Sequence, residues 1–202
     1  KWLDAVRASH KTLGEIAEKI AQGLVSGCDP AFYVERRGTR WYSDLTGREH
    51  EIEKELLHPL LKGSVHIRRW LPDPSTLAVL FPYKRTKKDW LLIPPDRMRA
   101  EHPKAAAYLK ECRAKLEERE ERRFAGDKFY QFSRPQNFEV MARAKILVPA
   151  IAQRAEYVMD PKGKHFFVGS GGGGGGAHGI VPKPPMDLHY LCGLLNSTCL
   201  DT

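Results

Sequence analysis

The sequence predicts an α+β fold, a mixed α/β arrangement of short mixed sheets with one long charged helix and a closing C-terminal helix. Short apolar runs bounded by Pro, at residues 77–81, 90–93 and 145–149, have the length and punctuation of buried strands. Residues 105–124 are rich in Ala, Leu, Glu, Lys and Arg, the composition of a stable helix. The elements follow one another without the regular βαβ alternation of a doubly wound sheet.

Thr12-Leu13-Gly14-Glu15 fits a capping box, in which a hydroxyl and a carboxylate satisfy amides at a helix start. Leu13, Ile16 and Ile20 continue at helical spacing, so a helix is expected to run to about Gly23. Ala31-Phe32-Tyr33-Val34 reads as a strand that turns at Arg37-Gly38-Thr39 and returns through Arg40-Trp41-Tyr42. A second helix, broken by Pro59, is expected over residues 49–61. Residues 77–81 and 90–93 are strands separated by a basic loop. In the long helix Leu109, Cys112 and Leu116 share a face, and Glu111/Lys115 and Glu118/Arg122 are spaced as i,i+4 pairs. Lys145-Ile146-Leu147-Val148-Pro149, Tyr157-Val158-Met159 and His165-Phe166-Phe167-Val168 are further strands, and residues 188–196 close the chain as a helix.

With 202 residues, 42% of them hydrophobic, the chain can bury a real core, and one domain is expected across residues 1–202. The formal net charge of +8 points to a polyanionic partner, because Lys and Arg displace condensed counterions from phosphates. Cys28, Cys112, Cys192 and Cys199 form no C-x-x-C pair, and His189, Cys192 and Cys199 read better as packing residues than as a metal site. No apolar run has the length of a membrane span and no leader pattern is present, so a cytoplasmic protein without membrane contact is expected. The start at Lys1 and the stop at Leu200-Asp201-Thr202 read as part of a longer polypeptide.

Catalytic patterns are missing: there is no P-loop, H-E-x-x-H, nucleophile elbow or dinucleotide turn. Cys28-Asp29-Pro30-Ala31-Phe32-Tyr33 approaches the loop that holds a flipped base in amino-methyltransferases, but it lacks the second Pro and any upstream cofactor motif. Binding residues are easier to nominate. Lys62-Gly63-Ser64-Val65-His66-Ile67-Arg68-Arg69-Trp70 places a glycine where backbone approaches a phosphate, so Lys62, His66, Arg68 and Arg69 are candidate DNA contacts. The alternative there is a solvated loop whose Trp70 fills the core. Lys84, Arg85, Lys87 and Lys88 form a basic strip that equally suits a soluble hairpin tip.

Arg134, Gln136 and Asn137, in the stretch Tyr130-Gln131-Phe132-Ser133-Arg134-Pro135-Gln136-Asn137, are candidates for reading bases, since Arg forks onto guanine and Gln or Asn pairs with adenine. Alternating aromatic and polar residues also describe a half-buried strand. Lys145 and His178 complete the candidate set. The run Gly171 to Gly176 before His178 is either a flexible connector or a loop that permits close approach to a duplex.

Taken in order, these segments carry a resemblance. Its landmarks are Leu13-Gly14-Glu15-Ile16-Ala17, Gln22-Gly23-Leu24-Val25-Ser26-Gly27, Phe32-Tyr33-Val34, Leu60-Leu61-Lys62-Gly63 and Ile67-Arg68-Arg69-Trp70. They continue through Leu91-Leu92-Ile93-Pro94-Pro95, the charged helix after Pro103, Tyr130 with Arg134-Pro135, Lys145-Ile146-Leu147-Val148-Pro149, His178-Gly179-Ile180 and Leu191-Cys192-Gly193-Leu194-Leu195-Asn196-Ser197. The chain resembles the TaqI-like specificity domain found C-terminal to the catalytic domain of adenine-specific DNA methyltransferases, in Type IIG restriction-modification enzymes and BREX-type phage-defence systems. It departs from that pattern at His178, where the family has an aromatic residue, and at Ser26-Gly27, where it has Thr-Gly.

The resemblance implies a target-recognition domain that clamps double-stranded DNA and selects the site. An N-terminal methyltransferase domain of the same parent chain would bind S-adenosylmethionine and flip adenine. On that reading this chain holds no catalytic residue, metal or cofactor of its own. Three other readings compete: a basic protein-interaction or scaffold module, a single-strand or RNA binder stacking bases on Trp70, Tyr130 and Phe132, and a restriction nuclease, for which a carboxylate cluster is wanting.

Overall fold

In the computed structural model, which describes residues 11–87, 89–169 and 175–197, Thr12 does start a helix. The Glu15 carboxylate accepts from the Thr12 backbone N at 2.7 Å and from its Oγ1 at 2.8 Å. That helix, α1 (Leu13–Ile16), lasts a single turn. The chain then extends as β1 (Ala17–Gln22), because its backbone pairs with β12 (Ala177–Pro182), Ile20 opposite Ile180 and Gln22 opposite His178. The helical spacing of Leu13, Ile16 and Ile20 is overridden by this distant partner, and Ile20 stays 47% exposed.

The single turn α2 (Asp29–Phe32) leads into a hairpin of β2 (Tyr33–Arg37) and β3 (Arg40–Ser43) that turns at Gly38 as expected, and β4 (Arg48–His50) adds to β3. The helix expected over residues 49–61 does not form. A 3-10 turn (Lys54–Leu56) and β5 (Leu57–Leu61) take its place, and Pro59, which would disrupt a helix interior, sits opposite Ala78 of β6 (Leu77–Leu80). Leu60 and Leu61 are buried by sheet neighbours rather than along a helix face.

After the one-turn α3 (Gly63–His66), β7 (Tyr83–Arg85) and β8 (Trp90–Leu92) make the hairpin that carries the basic strip. Two helices follow, α4 (Pro95–Glu101) and α5 (Pro103–Glu117). The long predicted helix therefore stops at Glu117, and a 3-10 segment Arg119–Arg122 with positive φ at Glu120, Glu121 and Arg122 ends it. Leu109, Cys112 and Leu116 do share its buried face. The expected i,i+4 pairs are exchanged for others: Glu111 meets Arg48, Lys115 meets Glu118 and Arg122 meets Glu117. The remaining elements are α6 (Phe138–Met141), β9 (Lys145–Pro149), β10 (Val158–Asp160), β11 (Phe166–Phe167) and α7 (Leu188–Leu195).

The result is an α+β fold. β1-β12-β9-β10 form an antiparallel sheet, and β11-β5-β6-β2-β3-β4 form a second sheet in which β11 runs parallel to β5. The main core is aromatic: Phe81 meets Phe132, Phe138 and Phe166 edge-on at 5.8, 4.9 and 5.2 Å. A smaller core lies on one face of the antiparallel sheet, where Ile146 and Ile180 pack with Leu191, Cys192 and Leu195 of α7.

The two sheets share the main core, where Leu147, Val158 and Val181 cluster with Leu60, Leu61 and Phe167, and they also join through backbone. Leu24 N donates to Phe167 O at 2.8 Å and Gly169 N to Leu24 O at 2.7 Å. A Cβ on Gly23 would lie 2.3 Å from Phe167 O, and one on Gly169 2.1 Å from Gly23 O, so both positions require glycine.

Candidate nucleic-acid interface

From this crossing, four backbone segments continue side by side. Val168 N donates to Leu61 O at 3.1 Å, Leu24 and Val168 form a parallel bridge, and Ser133 N and Arg134 N donate to Ser26 O at 3.1 Å and Val25 O at 3.2 Å. Phe167 is level with Leu61, Leu24 with Val168 and Val25 with Arg134, so Lys62 and Arg134 lie on the two outer segments of this row, one residue out of register and about three strand spacings or ~14 Å apart. Gly175 joins it, because Gly63 N donates to Gly175 O at 2.8 Å. The row thus takes in both described ends of the glycine-rich segment, and Arg134 and Gln136 stand exposed beside it.

Asn137 adopts a left-handed backbone with φ of 59° and donates from its Nδ2 to Gln22 O at 3.2 Å, so part of its amide is spent on the scaffold. His178 lies in β12 between Gln22 and Val148, half-buried. His66 accepts from Lys62 N at its Nδ1, at 3.0 Å, which leaves its Nε2 to carry the proton of the neutral ring. Burial first, then the charges of Lys62 and Arg68 against the opposing Asp73, hold its pKa below the ordinary histidine value. His66 is a neutral donor near pH 7.

Other candidates are placed differently. Lys145 is 0% exposed, with its ammonium 2.7 Å from Asp160 and 2.8 Å from Met141 O, so it is a core cation and is no candidate for a surface contact. The apolar strand it begins draws it inward. Arg69 is half-buried and clamps two carbonyls, Ala155 O and Asn196 O, each at 3.0 Å, which commits most of its fork to structure. Arg68 is exposed but shares a mixed-charge neighbourhood with Asp73 and Glu156 at 3.7 and 3.8 Å.

Lys84 and Arg85 are exposed on β7, and Thr86 closes the hairpin tip on Asp89 with Lys87 exposed between them. Lys88 lies outside the described residues, as do 171–174 of the glycine run and Cys199.

Trp70 does not fill the core. Its indole is 47% exposed and its φ is +71°, a left-handed conformation that costs a bulky residue of order 1–3 kcal/mol. Two backbone hydrogen bonds of 3.0 Å, Trp70 N to Tyr157 O and Met159 N to Trp70 O, hold it there. Tyr130 and Phe132, by contrast, are 1% and 0% exposed and cannot serve as stacking platforms. Cys192 lies on the buried face of α7, packed in the smaller core.

One positioning residue left no signal in the sequence. Arg119 is buried and donates to Leu116 O, Ser26 O, Phe129 O and Gln131 O at 2.7–2.9 Å, tying the segment that carries Arg134 to the segment beside it. Its local context, a run of charged residues, suggests only a solvated helix end. No family model matches the chain, and no curated protein matches its sequence.

Proposed function

We propose that this chain recognises duplex DNA as the specificity part of an adenine-specific, S-adenosylmethionine-dependent DNA methyltransferase of a restriction-modification or phage-defence system in the cytoplasm. The observation that carries the reading is the row at the sheet crossing, which sets Lys62 at one end and Arg134 with Gln136 at the other. A cation and an amide together suit a phosphate contact beside a base edge. The net charge of +8 and the ordered landmarks support it. Methyl transfer would belong to an N-terminal domain of the same parent chain, and the present chain would be catalytically inert.

The test is fluorescence anisotropy with labelled duplex DNA across a salt series, alongside methyl transfer from labelled cofactor. Binding that weakens steeply with salt, with no methylation, is expected. Affinity indifferent to salt would overturn the DNA reading, and methylation by this chain alone would overturn the division of labour.

A protein-interaction module is the second reading. It is favoured by the exposed Trp70, Leu71 and Leu194, near the Arg69 clamp, and predicts no duplex binding even at low salt.

A further inference from the structure

One face of α5 is built unlike the rest. Pro103, Ala106, Ala107, Lys110 and Arg113 recur at helical spacing, and the two alanines leave room where larger residues would close the surface. With Pro95, Met98 and Arg99 of α4 and the Phe129-Tyr130 step, they enclose a cavity of about 590 Å³. Its floor is apolar: Met98, Leu109 and Tyr130 are 2%, 1% and 1% exposed, and Phe129 is 9% exposed. Its lip carries Arg99, Lys110 and Arg113, and no carboxylate is among the described residues that line it.

The three cations are not equally committed. Arg113 donates from Nε to Glu117 at 2.8 Å and lies 4.9 Å over the Phe129 ring. Arg99 and Lys110 have no ion-pair partner among the described residues. Asp96 and Asp127 act on the Tyr130 phenol from outside the lining, and that phenol donates to Ile93 O at 2.6 Å. The cavity therefore pairs an apolar, ring-floored interior with two cations, Arg99 and Lys110, that no ion pair holds among the described residues.

We infer that this cavity binds a small organic anion, an aromatic or branched apolar body with one acidic headgroup, carboxylate or phosphate, held between Arg99 and Lys110. The volume lies within the ~300–1,000 Å³ range of small-molecule sites, and a few charged groups over an apolar floor fix such a ligand's orientation. Charge-assisted hydrogen bonds from the two uncommitted cations would select the anion over its neutral analogue by about tenfold. The site is separate from the sheet crossing and does not depend on DNA binding.

Isothermal titration calorimetry on this chain tests it with 1-naphthoate and 1-naphthyl phosphate, using 1-naphthalenemethanol as the neutral control. At least one anion should bind at a single site, the tighter one naming the headgroup, and the alcohol about tenfold more weakly. Arg99→Gln with Lys110→Gln should remove that preference, and Ala107→Trp, at the exposed lip, should abolish binding while leaving the melting temperature unchanged. Absence of binding at millimolar anion, equal affinity for anion and alcohol, or indifference to both variants would overturn the proposal.

Discussion

Two regions of the molecule bury a cation, and they solve the problem in opposite ways. Beneath β9, Lys145 faces Asp160 at 2.7 Å, and Asp160 also accepts from Lys164 N and His165 N, both at 2.9 Å. Beside the sheet crossing, Arg119 has no carboxylate on its guanidinium among the described residues and is solvated by four backbone carbonyls. The chemistry of the side chains explains the choice. Guanidinium stays charged whatever its surroundings and its planar fork reaches several acceptors, whereas a buried ammonium loses its proton unless an anion holds it. Burial lowers the Lys145 pKa and Asp160 partly restores it.

Breaking the ion pair should have the largest effect. Asp160→Asn leaves Lys145 buried without a counter-charge and is expected to cost about 3–5 kcal/mol, read as a lower urea midpoint with unchanged slope. The acid limb should change with it. Burial works to raise the Asp160 pKa, but the His165 ring, 3.5 Å away, and the Lys145 ammonium outweigh it and hold the carboxyl well below the usual range. A carboxyl lowered on folding contributes stability that is complete above its unfolded value of about 3.9 and is lost as pH falls through the folded one. Melting temperatures from pH 5 down to pH 2 should therefore fall more steeply in the parent than in Asp160→Asn. Equal slopes would show that another group governs the acid limb.

Arg119→Lys sharpens the contrast. It keeps the charge but cannot span four carbonyls, and losing two of those hydrogen bonds should cost about 2 kcal/mol. Because arginine does not titrate in the accessible range, the loss should be the same at pH 5 and pH 8. A pH-dependent loss would mean that the new ammonium deprotonates in place. Duplex affinity should also fall in Arg119→Lys, since the segment presenting Arg134 would be less firmly held. A variant that is destabilised yet binds as tightly as the parent would deny Arg119 its positioning role.

The same comparison shows what could be read in advance. Hairpin β2-β3, strands β6, β8, β9 and β10, helix α5 and helix α7 follow from local patterns, because each carries its own periodicity or punctuation. β1, β5 and β12 do not. β1 looks helical until Ile20 finds Ile180, β5 contains a proline, and β12 begins with Ala177, His178 and Gly179, which form no apolar run. Lys145 was legible as a cation and misplaced as a surface one. The cue lay in Ile146, Leu147 and Val148 beyond it, which commit the strand to the core. The row of Lys62 and Arg134 depends on the pairings of Leu61, Val168, Leu24 and Val25, segments far apart in the chain, so no local pattern in the sequence gives the order in which those segments lie.

The smallest expected change separates surface cations from buried ones. Arg134 is exposed, makes no ion pair among the described residues and joins the scaffold through its backbone, its N donating to Val25 O and its O accepting from Gln136 N. Arg134→Ala should therefore alter stability by less than about 0.5 kcal/mol. If its guanidinium meets a phosphate, duplex affinity should weaken by about 1 kcal/mol at low salt across all sequences, and the slope of log affinity against log salt should drop by about one. If it forks onto a guanine, the loss should concentrate at one base pair of the preferred site while the salt slope holds. Lys145→Met should behave in the opposite way, lowering the melting temperature while the salt slope of the remaining folded protein is unchanged. Identical salt slopes and affinities for the parent and Arg134→Ala would remove Arg134 from the interface and leave the row without one of its two ends.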